Sequence, residues 1–218
     1  GRPGDEEAHP STEAVADLGE DELVEDGVLE LEPDRDRLAL ALESLRSVVE
    51  RPEVEIKQIL APEDLAKHSV AFSCDVRADS AHEKIDLGTG RIVVLWDKAP
   101  QEAWGSNFRV VMFAKSPLET DIGADEYSAG VTWAWLISAL EENGASYNAE
   151  AGTATRVISV GYGSLANQKD HSEVELRASW SPTDLNLAAH MNAWQNLICM
   201  MSGHPLHNEH LGRLDIRA

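Results

Sequence analysis

The clearest hydrophobic pattern lies between Ser172 and Gly203 and predicts a strand that leads into a long helix. The strand places four apolar residues on one side at a period of two: Val174, Leu176, Ala178 and Trp180. The helix has an apolar stripe at spacings of three and four: Leu187, Met191, Trp194, Ile198 and Met201. Ser181 and Pro182 are predicted to begin this helix, as its N-cap and first helical position.

Similar patterns predict the other elements. Asp34 begins a predicted helix that ends before Pro52, with an apolar stripe of Leu38, Leu42, Leu45 and Val49. A second helix is predicted from Ser128 to Asn143. Extended segments are predicted at 54–60, 70–76 and 155–163. Two further segments, 92–96 and 108–114, are apolar at both alternating sets of positions, which predicts neighbouring strands covered on both faces.

The resulting fold class is α+β, with an antiparallel sheet of five to six strands and three main helices. The predicted order is a helix, three strands or four, a helix, two strands and a helix. Most connections between strands are short enough for hairpins, which favours antiparallel pairing with the helices segregated from the sheet.

Charge and hydrophobic periodicity together divide the 218-residue chain into three predicted regions. Residues 1–33 contain twelve acidic residues against one Arg and no aromatic residue, which predicts a disordered acidic tail. Residues 34–203 are predicted to form one α+β domain, and residues 204–218 a C-terminal tail. After Pro33 the acidic excess is still ten, with 27 acidic and 17 basic residues. This argues against nucleic acid and anionic membranes as partners, because both require clustered Lys and Arg.

The sequence contains no signal-peptide pattern and no run of the ~20 apolar residues that a membrane span requires. We therefore expect a cytoplasmic protein. Cys74 and Cys199 are too few for a disulfide framework, and each lies on an apolar face. Both are predicted to be buried free thiols.

Tryptophan is the most informative residue type, with six in the chain. Four of them occupy core-facing positions: Trp96, Trp133, Trp180 and Trp194. Trp104 and Trp135, together with Tyr162, fit the core less well, and the alternative is that they line a groove. Aromatic residues on an acidic surface are common anchors of protein–protein contacts, so these three are the candidate partner-binding residues.

A second candidate site is a metal centre formed by His204, His207 and His210 with Cys199, because imidazole and thiolate are zinc ligands. Pro205 prevents a regular helix through the first two histidines, and the spacing matches no standard zinc pattern. A solvated His-rich tail is the competing interpretation. No catalytic residue, metal or cofactor is therefore assigned. The glycines at 88–90 and 161–163 precede a strand or polar loop, so they fit turns better than a phosphate-binding loop.

Three stretches, QEAWGSNFRVV, VTWAWLISALEENGA and VELRASWSPTDLNLAAHMNAW, resemble an uncharacterised actinobacterial family, the domain of unknown function numbered three thousand. The resemblance covers about Leu38 to Pro205 and implies no activity or cofactor. The order of elements is also similar to that of the type III secretion chaperone-like fold. That similarity implies a small, acidic, non-enzymatic protein that can form a homodimer. The extended segment at 54–60 departs from the order of elements in that fold.

These observations favour a non-catalytic cytoplasmic adaptor that holds a protein partner on its sheet or in a helix groove. The alternative is a metal-dependent or small-molecule enzyme that uses the C-terminal histidines.

Overall fold

A computed structural model describes residues 33–78, 87–118 and 127–204, in which three helices pack on a six-stranded antiparallel sheet. The helices are α1 (Pro33–Arg46), α2 (Ser128–Glu142) and α3 (Leu187–Met201). The strands are β1 (Val54–Ile59), β2 (His68–Val76), β3 (Thr89–Trp96), β4 (Phe108–Leu118), β5 (Tyr147–Ser159) and β6 (His171–Pro182). This confirms the α+β class and the order of helices and strands, with 54–59 as the fourth strand of the first run.

The strand order is β1-β2-β3-β4-β6-β5, so β3 and β4 lie at the centre, as predicted, and β1 and β5 at the edges. Residues paired across antiparallel strands share a face of the sheet. One such row crosses four strands and joins Ala71, Val93, Val111 and Ser179. These odd-numbered positions therefore share one face of the sheet.

The three helices lie on the opposite face, which carries the even-numbered positions of the central strands. An added Cβ at Gly90 would meet Ile198 of α3, and one at Gly152 would meet Trp133 of α2. Helix α1 packs on α3, where the Ser44 hydroxyl accepts the backbone N–H of Ala188 at 2.9 Å. The buried core therefore lies between the even-numbered side chains and the helices.

The core contains most residues expected there. Trp96, Trp180 and Trp194 are buried, and Trp133 is half-buried against the core. Cys74 and Cys199 are free and buried. The odd-numbered face differs from the prediction for β3 and β4, because the described helices cover only one face. Val93 and Val111 on the other face are half-buried, although Leu95 is buried.

The predicted start of α3 was wrong. Ser181 and Pro182 belong to β6, where Pro182 pairs with Tyr147, and the helix begins five residues later at Leu187. Asp184 accepts the backbone N–H of Asn186 at 3.0 Å, in the turn between strand and helix. The pattern misled because Pro tolerates the end of a strand as well as the first turn of a helix.

The predicted end of α1 was also too late. The helix stops at Arg46, and Val49 is 78% exposed instead of completing the apolar stripe. Residues 47–53 instead connect α1 to β1, held by Gln195 of α3, whose side chain contacts the backbone of Val49 and Arg51. This tertiary contact decides where α1 ends, and the hydrophobic periodicity of the helix itself contains no information about it.

Two predictions lie outside the part of the chain that the structure describes: the acidic tail up to residue 32, and the C-terminal tail from residue 205. Within the described ranges, none of the helices has the length and apolar character needed to cross a membrane.

Candidate binding site

The odd-numbered face of the sheet, opposite the helices, is the candidate site and is called the open face below. Its centre is apolar, with Val93, Val111 and Phe113 each half-buried. Four basic side chains surround this centre and are called the cationic cluster: Arg91, Arg109, Lys115 and Arg177. An apolar centre with a charged rim is the usual arrangement of a protein-binding surface.

Arg109 of β4 is the most constrained member of the cluster. Its Nη1 donates to the carbonyl oxygen of Ala149 at 2.8 Å and to the hydroxyl of Ser181 at 2.9 Å. Its Nη2 donates to the hydroxyl of Ser179 at 2.7 Å. These acceptors are all neutral, and no carboxylate among the described residues pairs with Arg109. Burial lowers the pKa of Arg109, as expected for a partly desolvated cation.

Local backbone geometry brings Ala149 to this guanidinium. The pairing of β5 with β6 shifts register between Asn148 and Ala151, which marks a bulge in β5. Ala149 lies in this bulge with φ of 53°, in the left-handed region that costs a non-glycine residue roughly 1–2 kcal/mol. The bulge turns the Ala149 carbonyl toward Arg109, so a strained backbone position helps to hold the guanidinium on the open face.

Phe113 and the two strands beside it form a second part of the site. Arg91 of β3, Phe113 of β4 and Arg177 of β6 lie in one row across the sheet. The Cζ of Arg177 lies 5.0 Å from the centroid of the Phe113 ring, within range of a cation–π contact. Arg91 is exposed and has no hydrogen-bond or ion-pair partner among the described residues.

Two members of the cluster have acidic neighbours on the same face. Lys115 Nζ lies 3.3 Å from Glu173, and Arg177 Nε lies 3.6 Å from Glu175. These partly exposed pairs contribute little stability, about 0–1 kcal/mol each. Asp75 of β2 shares the open face as the diagonal neighbour of Arg91 and accepts the Thr89 hydroxyl at 2.7 Å. Arg91 and Arg109 are therefore the two members of the cluster without an ion-pair partner among the described residues.

The geometry suits a carboxylate ligand. A guanidinium has five N–H donors, and Arg109 uses three in the contacts described above. Its Nε–H and one Nη2–H have no acceptor in the described part of the chain. An arginine that retains two donors can bind a carboxylate through two hydrogen bonds. The apolar side chains beside it favour a ligand that also carries apolar groups.

The three predicted partner-binding aromatics lie on three different elements, and none of them belongs to a strand of the open face. Trp104 lies in a 3-10 turn of the β3–β4 connection and is buried, Trp135 is half-buried on α2, and Tyr162 is 79% exposed in the β5–β6 connection. These connections lie at opposite ends of the sheet, because β4 runs from Phe108 beside one to Leu118 beside the other. Its length separates the two ends by roughly 30 Å, so Trp104 and Tyr162 do not line one groove.

The alternative metal ligands fall partly outside the described residues, where His207 and His210 lie. His204 follows α3, and its backbone N–H donates to the carbonyl of Cys199 at 2.9 Å. Burial raises the pKa of the Cys199 thiol to about 11, which disfavours the thiolate that binds metals. Within 33–78, 87–118 and 127–204, no group of three or more His, Cys, Asp or Glu residues is arranged to hold a metal ion.

Sequence patterns alone did not identify the cationic cluster. The sequence of β4 predicts apolar side chains on both faces, although Arg109, Phe113 and Lys115 share one parity and therefore one face. Arg91 and Arg177 have the matching parity in the neighbouring strands. The sequence signal for the cationic cluster is the shared parity of basic residues within each of three predicted strands. Placing these residues on one face also requires the register between the strands, which the sequence does not provide.

A family model described as a protein of unknown function, DUF3000, matches residues 35–209. No curated protein and no solved structure matches the chain. The matched range contains every residue of the open face.

Proposed function

The chain belongs to the DUF3000 family of proteins of unknown function, and for it we propose a non-catalytic role as a cytoplasmic adaptor that holds a segment of a partner protein on the open face. The single observation that carries the proposal is the guanidinium of Arg109. It is held by three neutral acceptors on a face that none of the described helices covers, and it has no carboxylate partner among the described residues.

The chemistry of the face supports an acidic segment that also carries apolar side chains. Arg91 and Arg109 supply charge for carboxylates. Phe113 supplies an aromatic surface beside Arg91, and Val111 lies between Phe113 and Arg109 on the same face. Partial burial strengthens the attraction of Arg109 for a carboxylate, because a screened, fully solvated pair contributes little. The strained bulge at Ala149 further supports binding, since backbone strain clusters at functional positions.

A cytoplasmic location is consistent with both cysteines being free and buried. Disulfides persist in oxidising compartments, whereas thiols remain reduced in the cytosol. A chaperone-like activity, in which the adaptor holds the segment and releases it unchanged, requires no catalytic residue.

The test is site-specific photo-cross-linking in the protein's own host, with the full chain. Benzoylphenylalanine replaces Phe113 in one form and Leu40, an exposed residue of α1, in the control form. We expect a discrete cross-linked protein from position 113 only. It should be lost when Arg91→Gln and Arg109→Gln are combined. It should be retained when Arg46→Gln and Lys169→Gln are combined, because these two exposed residues lie outside the open face and their replacement removes the same charge.

The proposal fails if both positions give the same cross-linked products, or if position 113 gives none. A product of twice the chain's mass would identify the partner as a second copy and support a homodimer. Mass spectrometry of the cross-linked peptide would then show whether the captured segment is acidic, as the charge of the open face requires.

A further inference from the structure

We propose that the acidic N-terminal segment of this same chain, residues 1–32, occupies the open face and competes with the partner segment. This inference rests on the proposed function and adds its regulation. The carboxylates of the segment would bind Arg109 and Arg91, and its apolar residues would contact Phe113. The adaptor would then be autoinhibited until a partner displaces its own segment.

Charge complementarity supports this choice of occupant. Residues 1–32 contain twelve acidic residues and one Arg, and the rest of the chain contains 27 acidic and 17 basic residues. Most of the protein surface therefore repels this segment. Arg91 and Arg109 have no ion-pair partner among the described residues and share the open face, where the register places Arg91 opposite Phe113, four residues along β4 from Arg109. Attraction should accordingly concentrate the segment at this face.

The point at which the segment joins the fold supports the same conclusion. Residue 32 precedes α1, and Arg37 in the first turns of α1 lines a cavity of about 200 Å³ together with Phe108 and Pro182. Arg109 follows Phe108 and donates to Ser181, the residue before Pro182. Helix α1 thus begins at the end of the sheet where Arg109 lies. An extended chain spans at most ~3.5 Å per residue, so ten residues suffice to reach around the end of the sheet.

The sequence nearest to α1 supplies both kinds of side chain that the open face accommodates. Residues 20–33 read EDELVEDGVLELEP, with leucines and valines interspersed among seven carboxylates. The apolar residues suit the half-buried centre of the open face. The carboxylates suit Arg91 and Arg109, which have no ion-pair partner among the described residues.

The test uses a fluorescent synthetic peptide of residues 20–33 as the probe, added to two forms of the full chain. One is the natural sequence, and in the other all twelve acidic residues of the segment are changed, Glu to Gln and Asp to Asn. Fluorescence anisotropy at about 50 mM salt measures binding. We expect the neutralised form to bind the probe at least about tenfold more tightly, because its own segment no longer occupies the face.

Removing twelve negative charges also weakens general repulsion of the probe, so the contacts are tested within the neutralised form. Arg109→Gln is expected to reduce probe binding about tenfold, and Arg91→Gln severalfold. Arg91 is exposed and unpaired within the described residues, so its variant remains informative if Arg109→Gln weakens the fold. Arg46→Gln is the matched control and should bind as the parent does. If neither open-face variant differs from Arg46→Gln, the gain reflects net charge alone and the inference is overturned.

The remaining outcomes separate this inference from the proposed function. If the probe binds the natural and neutralised forms equally, and Arg109→Gln abolishes this binding, autoinhibition is overturned. The open face would still be a binding site for acidic segments. No binding to the neutralised form would overturn the inference, and cross-linking at position 113 would then decide the proposed function by itself. If the affinity of the natural form for the probe falls as the protein concentration rises, the segment occupies the open face of a second copy. That result would also overturn the proposal that the segment occupies the face of its own chain.

Discussion

The indole N–H of Trp180 donates a hydrogen bond of 2.8 Å to Nδ1 of His190, and both side chains are buried. This contact joins β6 to α3 across the core. Since Nδ1 is the acceptor, the imidazole is in its neutral form with the proton on Nε2, and Nε2 has no partner among the described residues. Burial lowers the pKa of His190 to about 4, with Asp184 acting weakly in the opposite direction.

The first prediction is that acid destabilises the fold through His190. Its folded pKa of about 4 lies below the ordinary value of 6.5, so the unfolded chain binds the extra proton between these values. The stability that neutral His190 contributes to the fold is complete above pH 6.5, and it is lost as the pH drops toward 4. From pH 7 to pH 5 the free energy of unfolding should decrease by about 2 kcal/mol from this residue alone.

Urea unfolding of the natural chain and of His190→Gln at both pH values measures this loss. Glutamine retains an acceptor for Trp180 but does not titrate, so the variant should be less stable at pH 7 and should change less between the two pH values. His171→Gln, at an exposed position, is the control and is expected to retain the natural pH dependence. An equal decrease in His190→Gln and the natural chain would show that His190 does not carry the effect.

The second prediction concerns Gln195, which holds the connection between α1 and β1. Its Oε1 accepts the backbone N–H of Arg51 at 3.0 Å, and its Nε2 donates to the Val49 carbonyl at 2.9 Å. Gln195→Leu removes both contacts and should lower the free energy of unfolding by about 2–4 kcal/mol, because buried polar groups lose their partners. Gln58→Leu, at an exposed position of β1, should change it by less than about 0.5 kcal/mol. Chemical denaturation compares the two variants, and similar losses would show that Gln195 is not a special contact.

Periodicity predicted the elements of this fold well because burial on one face imposes it directly. The alternation of β6 and the stripe of α3 both correspond to buried residues, and Trp180 and Trp194 have no exposed surface. The boundaries were less accurate where another part of the chain decides them. Ser181 remains in the strand because Pro182 pairs with Tyr147, and α1 ends early where Gln195 holds Val49.

The candidate site could not be assembled from sequence patterns because it depends on register. Arg91, Phe113 and Arg177 are far apart in the chain and become neighbours only through the pairing of β3, β4 and β6. The bulge that brings Ala149 to Arg109 leaves no sequence signal, since alanine is unusual at positive φ. Residue type alone favours Trp104 as a partner-binding residue, but its side chain is buried.

The third prediction uses two glycines with opposite surroundings. A Cβ at Gly90 would lie 2.5 Å from Cδ1 of Ile198 and 2.7 Å from the backbone oxygen of Phe113. Because the backbone oxygen cannot move without disturbing β4, Gly90→Ala should lower the free energy of unfolding by about 3 kcal/mol. At Gly130 in α2 the added Cβ would meet nothing within 4 Å, so Gly130→Ala should raise it by about 0.5–1 kcal/mol. Thermal unfolding measures both, and a stable Gly90→Ala variant would contradict the close packing of α3 on β3.

The last prediction concerns the two thiols. Cys74 of β2 and Cys199 of α3 have no exposed surface, and burial raises the pKa of both. Because only an accessible thiolate attacks a disulfide reagent, neither should react with 5,5′-dithiobis(2-nitrobenzoate) in the folded protein at pH 8. The thiols should react over the same range of urea concentration as the chain unfolds, because they become accessible only when α3 separates from the sheet. Thr155→Cys, at an exposed position of β5, provides the matched control and should react within the mixing time under native conditions. If either natural thiol reacts as fast as this control, the interface between β2 and α3 opens locally, and the core is less tightly closed than the packing at Gly90 indicates.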